Sequence, residues 1–343
     1  MSEIDLPTLY CPFQSTVSSH AATVDQRTID WGRAFGLITS DASAQRFQSA
    51  RFGWLAAYLA PNVSLETLQL LSDWNTWAIM WDDVCDRPHL RAQPTHLARY
   101  HAHFLTLLRG DTLVGIESPF ADALWNIRQR LLRYANTVQL RQFITHVAEF
   151  FSGCVWEATN RAKQCRIDVA TYIRMRRFTS GMYTALKVVE IADQIALPRT
   201  IWRYPTVTRL RERATNAVCW ANDIISLHQE IQRGDMHNLI IILQQTHHGA
   251  LTSSIAQAVT LHDGEVQAFL TAEQAIPSFG ARIDHHIDRY AALLRSFMYG
   301  NLAWSALSGR YGLAQEDQAY ALGESHAPTP LRTHERLMRT TQH

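Results

Sequence analysis

The chain has 343 residues, 47% of them hydrophobic and 18% charged, with a formal net charge of +1. That is enough apolar material for one large core or two smaller ones. The near-neutral balance gives no reason to expect nucleic acid or an anionic membrane as partner.

In chain order, Met1-Ser2-Glu3-Ile4-Asp5 is acidic and has no apolar run of a signal peptide. No stretch approaches the roughly 20 apolar residues of a membrane span, and residues 239–243 are typical of the longest runs. The residues up to Ser19 show no clear periodicity. From there helical spacing dominates. Asn62 to Ser64 resembles a helix start, and residues 70–81 read as a buried helix with Trp74, Trp77 and Trp81 at helical spacing. Ser118-Pro119 places proline directly after a good N-cap. Residues 137–161 and 282–297 show helical spacing without strand-like alternation. Pro61, Pro88, Pro94, Pro119, Pro198, Pro205 and Pro277 fall where breaks between helices are expected. The polar stretch from Ala314, with Pro328 and Pro330, reads as a frayed tail. No repeat or linker divides the chain. The five cysteines form no C-x-x-C pair, which fits a reducing cytoplasm. The His101/His103, His247/His248 and His285/His286 clusters lack metal-ligand spacing and read as solvated surface histidines.

Two segments carry the chemistry. Trp81-Asp82-Asp83-Val84-Cys85-Asp86 reads D-D-x-x-D, and Asn222-Asp223-Ile224-Ile225-Ser226-Leu227-His228-Gln229-Glu230 reads N-D-x-x-S-x-x-x-E. At about 100° per residue, Asp82 and Asp86 project together and Asp83 points aside. Asn222, Ser226 and Glu230 form one stripe that drifts only about 80° over two turns. Carboxylate, hydroxyl and amide oxygens suit Mg²⁺ far better than Zn²⁺, and Mg²⁺ commonly completes its shell with water and phosphate oxygens. Acidic helix residues are commonly solvated surface charge. Here they emerge from apolar stretches, residues 70–81 and 213–220, and fit the rim of an apolar pocket better.

Further segments complete a resemblance to the class I terpene synthases of the bacterial type. Cys11-Pro12-Phe13, Asp82 to Asp86, Arg177-Phe178-Thr179-Ser180-Gly181, the Asn222/Ser226/Glu230 stripe, Gly234-Asp235-Met236-His237-Asn238 and Arg310-Tyr311 are similar to that family's motifs, in order and over nearly the whole chain. The resemblance implies an all-α, single-domain helical bundle around a central apolar cavity. It implies a catalytic domain over residues 1–313, with residues 1–20 as an N-terminal lid and 314–343 as a tail.

It further implies that Asp82, Asp86, Asn222, Ser226 and Glu230 hold Mg²⁺, three ions per site. Arg177, Arg310 and Tyr311 would bind the diphosphate, and Asp83 would act as a closure latch, pairing with Arg310 or Arg177. Gly181 would break its helix and aim a backbone carbonyl at the developing cation. Glycine inside a helix costs about 1 kcal/mol relative to alanine, so its place there suggests a break even without the family. The implied reaction is ionisation of an isoprenoid diphosphate, farnesyl diphosphate by default for this chain length. Cyclisation to a sesquiterpene follows, in a cytoplasmic monomer or homodimer. Trp77 and Trp304, then Phe52 and Trp54, are candidate cation-stabilising aromatics, each in competition with plain core packing.

One departure stands out. Gln229 occupies the place where the family often has a lysine that contacts diphosphate, and Arg176 and Arg233 are the candidate substitutes. A diterpene synthase acting on geranylgeranyl diphosphate stays open as an alternative. A chain-elongating prenyltransferase would carry a second aspartate-rich motif, and a head-to-head synthase two D-x-x-x-D motifs. A helical scaffold protein would need no aligned metal ligands.

Overall fold

The computed structural model describes residues 7–14, 16–111 and 118–311. These residues form fourteen α-helices, and no strand occurs among them. In chain order they are α1 (Ala21–Ala34), α2 (Asp41–Ala50), α3 (Phe52–Leu59), α4 (Leu65–Cys85), α5 (Pro94–Arg109), α6 (Pro119–Leu131) and α7 (Thr137–Lys163). After them come α8 (Val169–Thr179), α9 (Met182–Ala192), α10 (Arg199–Trp202), α11 (Pro205–Arg233), α12 (Leu239–His247), α13 (Leu251–Gln274) and α14 (Ala281–Leu307). The expected tail at 314–343 lies outside the described residues.

The seven prolines singled out above all fall at or between helix ends, with Pro94, Pro119 and Pro205 opening α5, α6 and α11. Proline fits there because the first helical N–H has no intrahelical acceptor to lose. Ser64 caps α4 by accepting from the Thr67 amide at 3.2 Å. Asn136 and Gln139 close a reciprocal capping box at the start of α7.

The core centres on α4, which packs against α1, α3, α6, α7 and α9. Trp74, Trp77 and Trp81 on it are fully buried. On the other side of the cavity α11 packs against α8, α12, α13 and α14. Helix α14 also lies close on α3. A Cβ on Gly300 would stand 2.8 Å from the Tyr58 carbonyl carbon, so only glycine allows this approach.

The described part of the N-terminal segment packs on α13. The Tyr10 amide donates to Asp263 Oδ1 at 3.0 Å, and Phe13 meets Phe269 edge to face. None of its described residues lines the central cavity. The histidine expectation fails at His101 and His103, which are buried. His101 accepts from Trp81 Nε1 at 2.9 Å and stacks on Phe151, and burial pushes its pKa down to about 3. A ring with these packing partners has no need of solvent, and histidine spacing alone does not reveal that.

Candidate active site

One cavity is lined by α3, α4, α7, α8, α9, α11 and α14. Both acidic motifs open onto it. From α4 come Asp82, Asp83 and Asp86, and from α11 come Asn222, Ser226, Gln229 and Glu230. The helical spacing read in the sequence therefore places the two stripes on one cavity. Trp74, Phe150, Phe297 and Trp304 add aromatic surface to its wall.

The α4 cluster is braced by arginines. Arg310 grips Asp83 with both nitrogens, Nη1 to Oδ2 at 2.8 Å and Nη2 to Oδ1 at 2.6 Å. Asp86, at the C-cap of α4, accepts from Arg161 Nη2 of α7 at 2.9 Å. The same Arg161 nitrogen lies 2.8 Å from Asp235 Oδ2 and 3.8 Å from Glu157. Arg161 thus ties the aspartate-rich motif to the Gly234–Asn238 run behind the second motif. Asp82 has no ion pair of this kind among the described residues, and burial, then the charges of Asp86 and Asp83, push its pKa up to about 7 against the weaker pull of Arg176 and Arg310. Asp235 is the opposite case. Burial works against its charge, yet the His237 hydrogen bond and Arg161 hold its carboxyl well below the usual range.

The α11 cluster is braced mainly by neutral groups. Ser226 Oγ lies 2.7 Å from both the Asn222 carbonyl and Glu230 Oε1. Asn238 Nδ2 donates to Glu230 Oε2 at 2.7 Å and to the Asp223 carbonyl at 2.6 Å, while its own oxygen caps α12. Burial, then the charge of Asp223, raises Glu230 to about 8. Asn222 accepts from Arg176 Nη2 at 2.7 Å and donates to the Tyr311 hydroxyl at 2.9 Å.

Four of the expected site residues need correction. Arg177 does not line the cavity; its Nε binds Asn216 Oδ1 at 2.9 Å and its Nη1 binds Glu212 at 3.1 Å, on the flank of α11. Arg176 faces the cavity instead, oriented by Asp223, which accepts from its Nε at 2.9 Å. The two arginines are neighbours about 100° apart on α8, and the motif's spacing alone did not fix which one turns inward. Trp77 also misses the cavity. It is fully buried, stacked between Trp74 and Trp81, and donates to the Phe120 carbonyl at 2.8 Å. Phe52 and Trp54 do not line the cavity either, whereas Trp304 does, fixed by its Nε1 donating to the Ala50 carbonyl at 2.8 Å.

Gly181 sits at the expected break between α8 and α9, at φ 68°, where a side chain would be strained. Its own carbonyl accepts from the Thr184 amide and hydroxyl, so it belongs to the hydrogen bonding of α9. Thr179 and Ser180, which end α8, also line the cavity, so the negative end of that helix faces it. Gln229 lines the cavity and donates to the Arg310 carbonyl at 2.9 Å, which secures the segment that carries Arg310. Both candidate substitutes for the usual lysine, Arg176 and Arg233, line the cavity too.

Sequence reasoning also missed Glu157 and Arg161 as cavity groups and gave Asp235 no side-chain partner. The only signal was the i, i+4 pair Glu157/Arg161 on an otherwise amphipathic helix, which reads equally well as a surface pair.

Across residues 73–268 the chain matches the family model described as terpene synthase family 2, C-terminal metal binding. The chain belongs to the terpene synthase family. It is 34% identical to the germacrene A synthase of Nostoc punctiforme over 91% of this chain and 96% of that one. It is 33% identical to the (+)-T-muurolol synthase of Roseiflexus castenholzii over 90% and 95% respectively. Among solved structures, a protein from ancestral sequence reconstruction superposes with a TM-score of 0.81 at 24% identity, covering 88% of this chain and 90% of that one. Hedycaryol synthase superposes at 0.77 with 21% identity, covering 89% and 100%. The fold is that of the class I terpenoid cyclases, as the motifs implied, and a terpene synthase of this family is a metal-binding enzyme.

Six carboxyl groups and four arginines line the cavity, more acidic groups than fixed cations. Among the described residues no three His, Cys, Asp or Glu side chains converge into a cage that could hold a cation alone. A hard divalent ion that takes part of its shell from phosphate oxygens fits that arrangement.

Proposed function

We propose that this terpene synthase is a Mg²⁺-dependent sesquiterpene cyclase, with residues 1–313 as one catalytic domain. It would ionise farnesyl diphosphate, release diphosphate and cyclise the carbocation. The observation that carries this reading is the excess of carboxylates on a cavity whose other walls are apolar and aromatic. An anionic diphosphate approaches such a wall only with cations, and an isoprenoid tail needs the rest. The names of the curated relatives, which include (2E,6E)-farnesyl diphosphate cyclising enzymes, support the substrate.

Asp82 and Asp86 on one side, and Asn222, Ser226 and Glu230 on the other, would hold the ions, three in number by family resemblance. When bound, the metal screens the diphosphate oxygens and makes the group a good leaving group. Arg176 and Arg310 present fixed cations to the same oxygens, and the Tyr311 hydroxyl stands beside them on Asn222. Asp83 holds Arg310 in place as a latch would. The rings of Phe150, Phe297 and Trp304, which line the cavity, would stabilise a passing cation by about 0.5–2 kcal/mol each where their faces meet it. The negative end of α8 at Thr179 and Ser180 acts in the same sense.

The test is incubation with geranyl, farnesyl and geranylgeranyl diphosphates and Mg²⁺, followed by gas chromatography and a diphosphate assay. A cyclic C15 product from farnesyl diphosphate, lost in EDTA and restored by Mg²⁺, is the expected result. A longer diphosphate would mean a prenyltransferase, and a C20 cyclic product a diterpene synthase. Full activity in EDTA would end the metal assignment.

A further inference from the structure

The apolar part of the cavity contains two amides with nothing to bind. Asn75 on α4 is 6% exposed and Asn301 on α14 is 8% exposed, and both line the cavity. The Nδ2 of each is buried and has no hydrogen-bond partner among the described residues. Around them the wall is hydrocarbon: Leu55 and Leu59 of α3, Ala78 one turn along α4, and Phe297 one turn before Asn301.

Their depth follows from helix geometry. Asn75 precedes Asp82 by two turns, which returns it to within about 20° of the same face and sets it about 10 Å farther from the acidic motif. Asn301 shares a stripe with Phe297 and Trp304 at i, i+4 and i+7. Asn75 is therefore set back from the diphosphate end, and Asn301 lies one turn farther along α14 from that end than Trp304, which meets Tyr311 edge to face.

A buried amide N–H without a partner costs about 1–3 kcal/mol. Leucine has nearly the same shape and would carry no such cost in a pocket for hydrocarbon. Two orphaned amides lining one cavity call for a polar occupant small enough to share the space with an isoprenoid. Water meets that description, since a buried water typically makes two to four polar contacts. An amide offers both a donor and an acceptor, so the fit holds whichever way either side chain is turned.

Building on the sesquiterpene cyclase reading, we infer that Asn75 and Asn301 hold a water molecule at the apolar end of the cavity, and that this water captures the terminal carbocation, so that the product is a cyclic sesquiterpene alcohol. The water oxygen supplies the electron pair of the new C–O bond. One O–H bond breaks, and its proton leaves through a second water of the cavity to the departed diphosphate, the strongest base the reaction itself supplies, about 10 Å away along α4. The amides are positioning groups. One amide N–H donating to the water oxygen ties up one lone pair, and the other amide's oxygen accepting a water hydrogen turns the remaining lone pair toward the cation.

The experiment is turnover of farnesyl diphosphate by the Mg²⁺-loaded enzyme in H₂¹⁸O, with mass spectrometry of the product and a parallel diphosphate assay. A cyclic alcohol carrying ¹⁸O is expected. In Asn75→Leu and Asn301→Leu the ratio of alcohol to hydrocarbon should fall by about tenfold, the equivalent of one lost hydrogen bond. Asn75→Asp, which keeps an acceptor in place, should retain alcohol as the major product and covers the case in which a leucine variant fails to fold. Diphosphate release with a hydrocarbon product from the native enzyme overturns this inference and leaves the cyclase reading intact. Alcohol formation at an unchanged ratio in both leucine variants also overturns it. No diphosphate release from any of the three prenyl diphosphates overturns both readings.

Discussion

The clusters that α4 and α11 present to the cavity are both acidic and both helical, yet they are held by different means. On α4 the partners are cations: Arg310 on Asp83 and Arg161 on Asp86. On α11 they are neutral: Ser226 and Asn238 on Glu230, and Tyr311 on Asn222, where Arg176 is the one cation. Cations neutralise a carboxylate and hold it in a fixed direction. Neutral partners hold the direction and leave the charge to be met by something else. The α11 cluster is thus the one with more to gain from an incoming metal, while Asp82 is the one member of the α4 cluster in the same position.

That contrast can be broken most forcefully at the ligands. Glu230→Ala and Asn222→Ala should each lower turnover by about three orders of magnitude, ~4 kcal/mol, measured as diphosphate release at saturating Mg²⁺. Arg176→Gln should fall in the same class, because its cation faces the cavity and orients Asn222. Arg177→Gln should stay within about fivefold of the native rate, as a surface ion pair contributes little. Equal losses at 176 and 177 would place the diphosphate on the other flank of α11.

The bracing itself is tested by Arg161→Gln against Asn238→Ala. Removing Arg161 leaves Asp86, Glu157 and Asp235 without their common cation and should cost about 3 kcal/mol in denaturant unfolding. Removing Asn238 takes one hydrogen bond from Glu230 and the cap from α12, and should cost about 1–2 kcal/mol. Mg²⁺ with diphosphate should restore more stability to the arginine variant. Equal recovery in both would erase the distinction.

A smaller effect is expected with pH. Asp82 near 7 and Glu230 near 8 bind more protons folded than unfolded, so their contribution to stability declines as pH rises from about 4 to 8. Metal must displace those protons, so apparent Mg²⁺ affinity should rise over pH 6 to 9, with proton uptake or release read by calorimetry in two buffers. Affinity that is flat over that range would mean both carboxylates are already ionised.

The smallest change concerns Gln229→Lys. A lysine could keep the donor to the Arg310 carbonyl or turn to the diphosphate, and should lower KM by no more than about tenfold. Gln229→Glu should raise KM, since it loses that donor and adds a like charge. An unchanged KM in both variants would show that position 229 serves only the Arg310 segment.

Much of this was legible in the sequence. Helix after helix, the prolines at their ends and the two stripes could be read because each depends on local spacing. The lining role of Trp304 was also foreseen. What could not be read were choices between neighbours on one helix. Arg176 against Arg177, and Trp74 against Trp77, differ by a rotation that only packing against α11 or α6 decides. Arg161 was hidden for another reason: its partners Asp86 and Asp235 are remote in sequence, so no local pattern signals it.

The tight seam between Gly300 and Tyr58 bears on how this cavity could be redesigned. With the α14 backbone resting on α3, position 300 accepts no larger residue without prising two helices apart. Ala78 on α4 and Ala185 on α9 line the cavity as small side chains, where a larger residue would take up cavity volume. A mutant library aimed at new ring systems would therefore place its diversity on α4 and α9 and leave the α14 seam untouched.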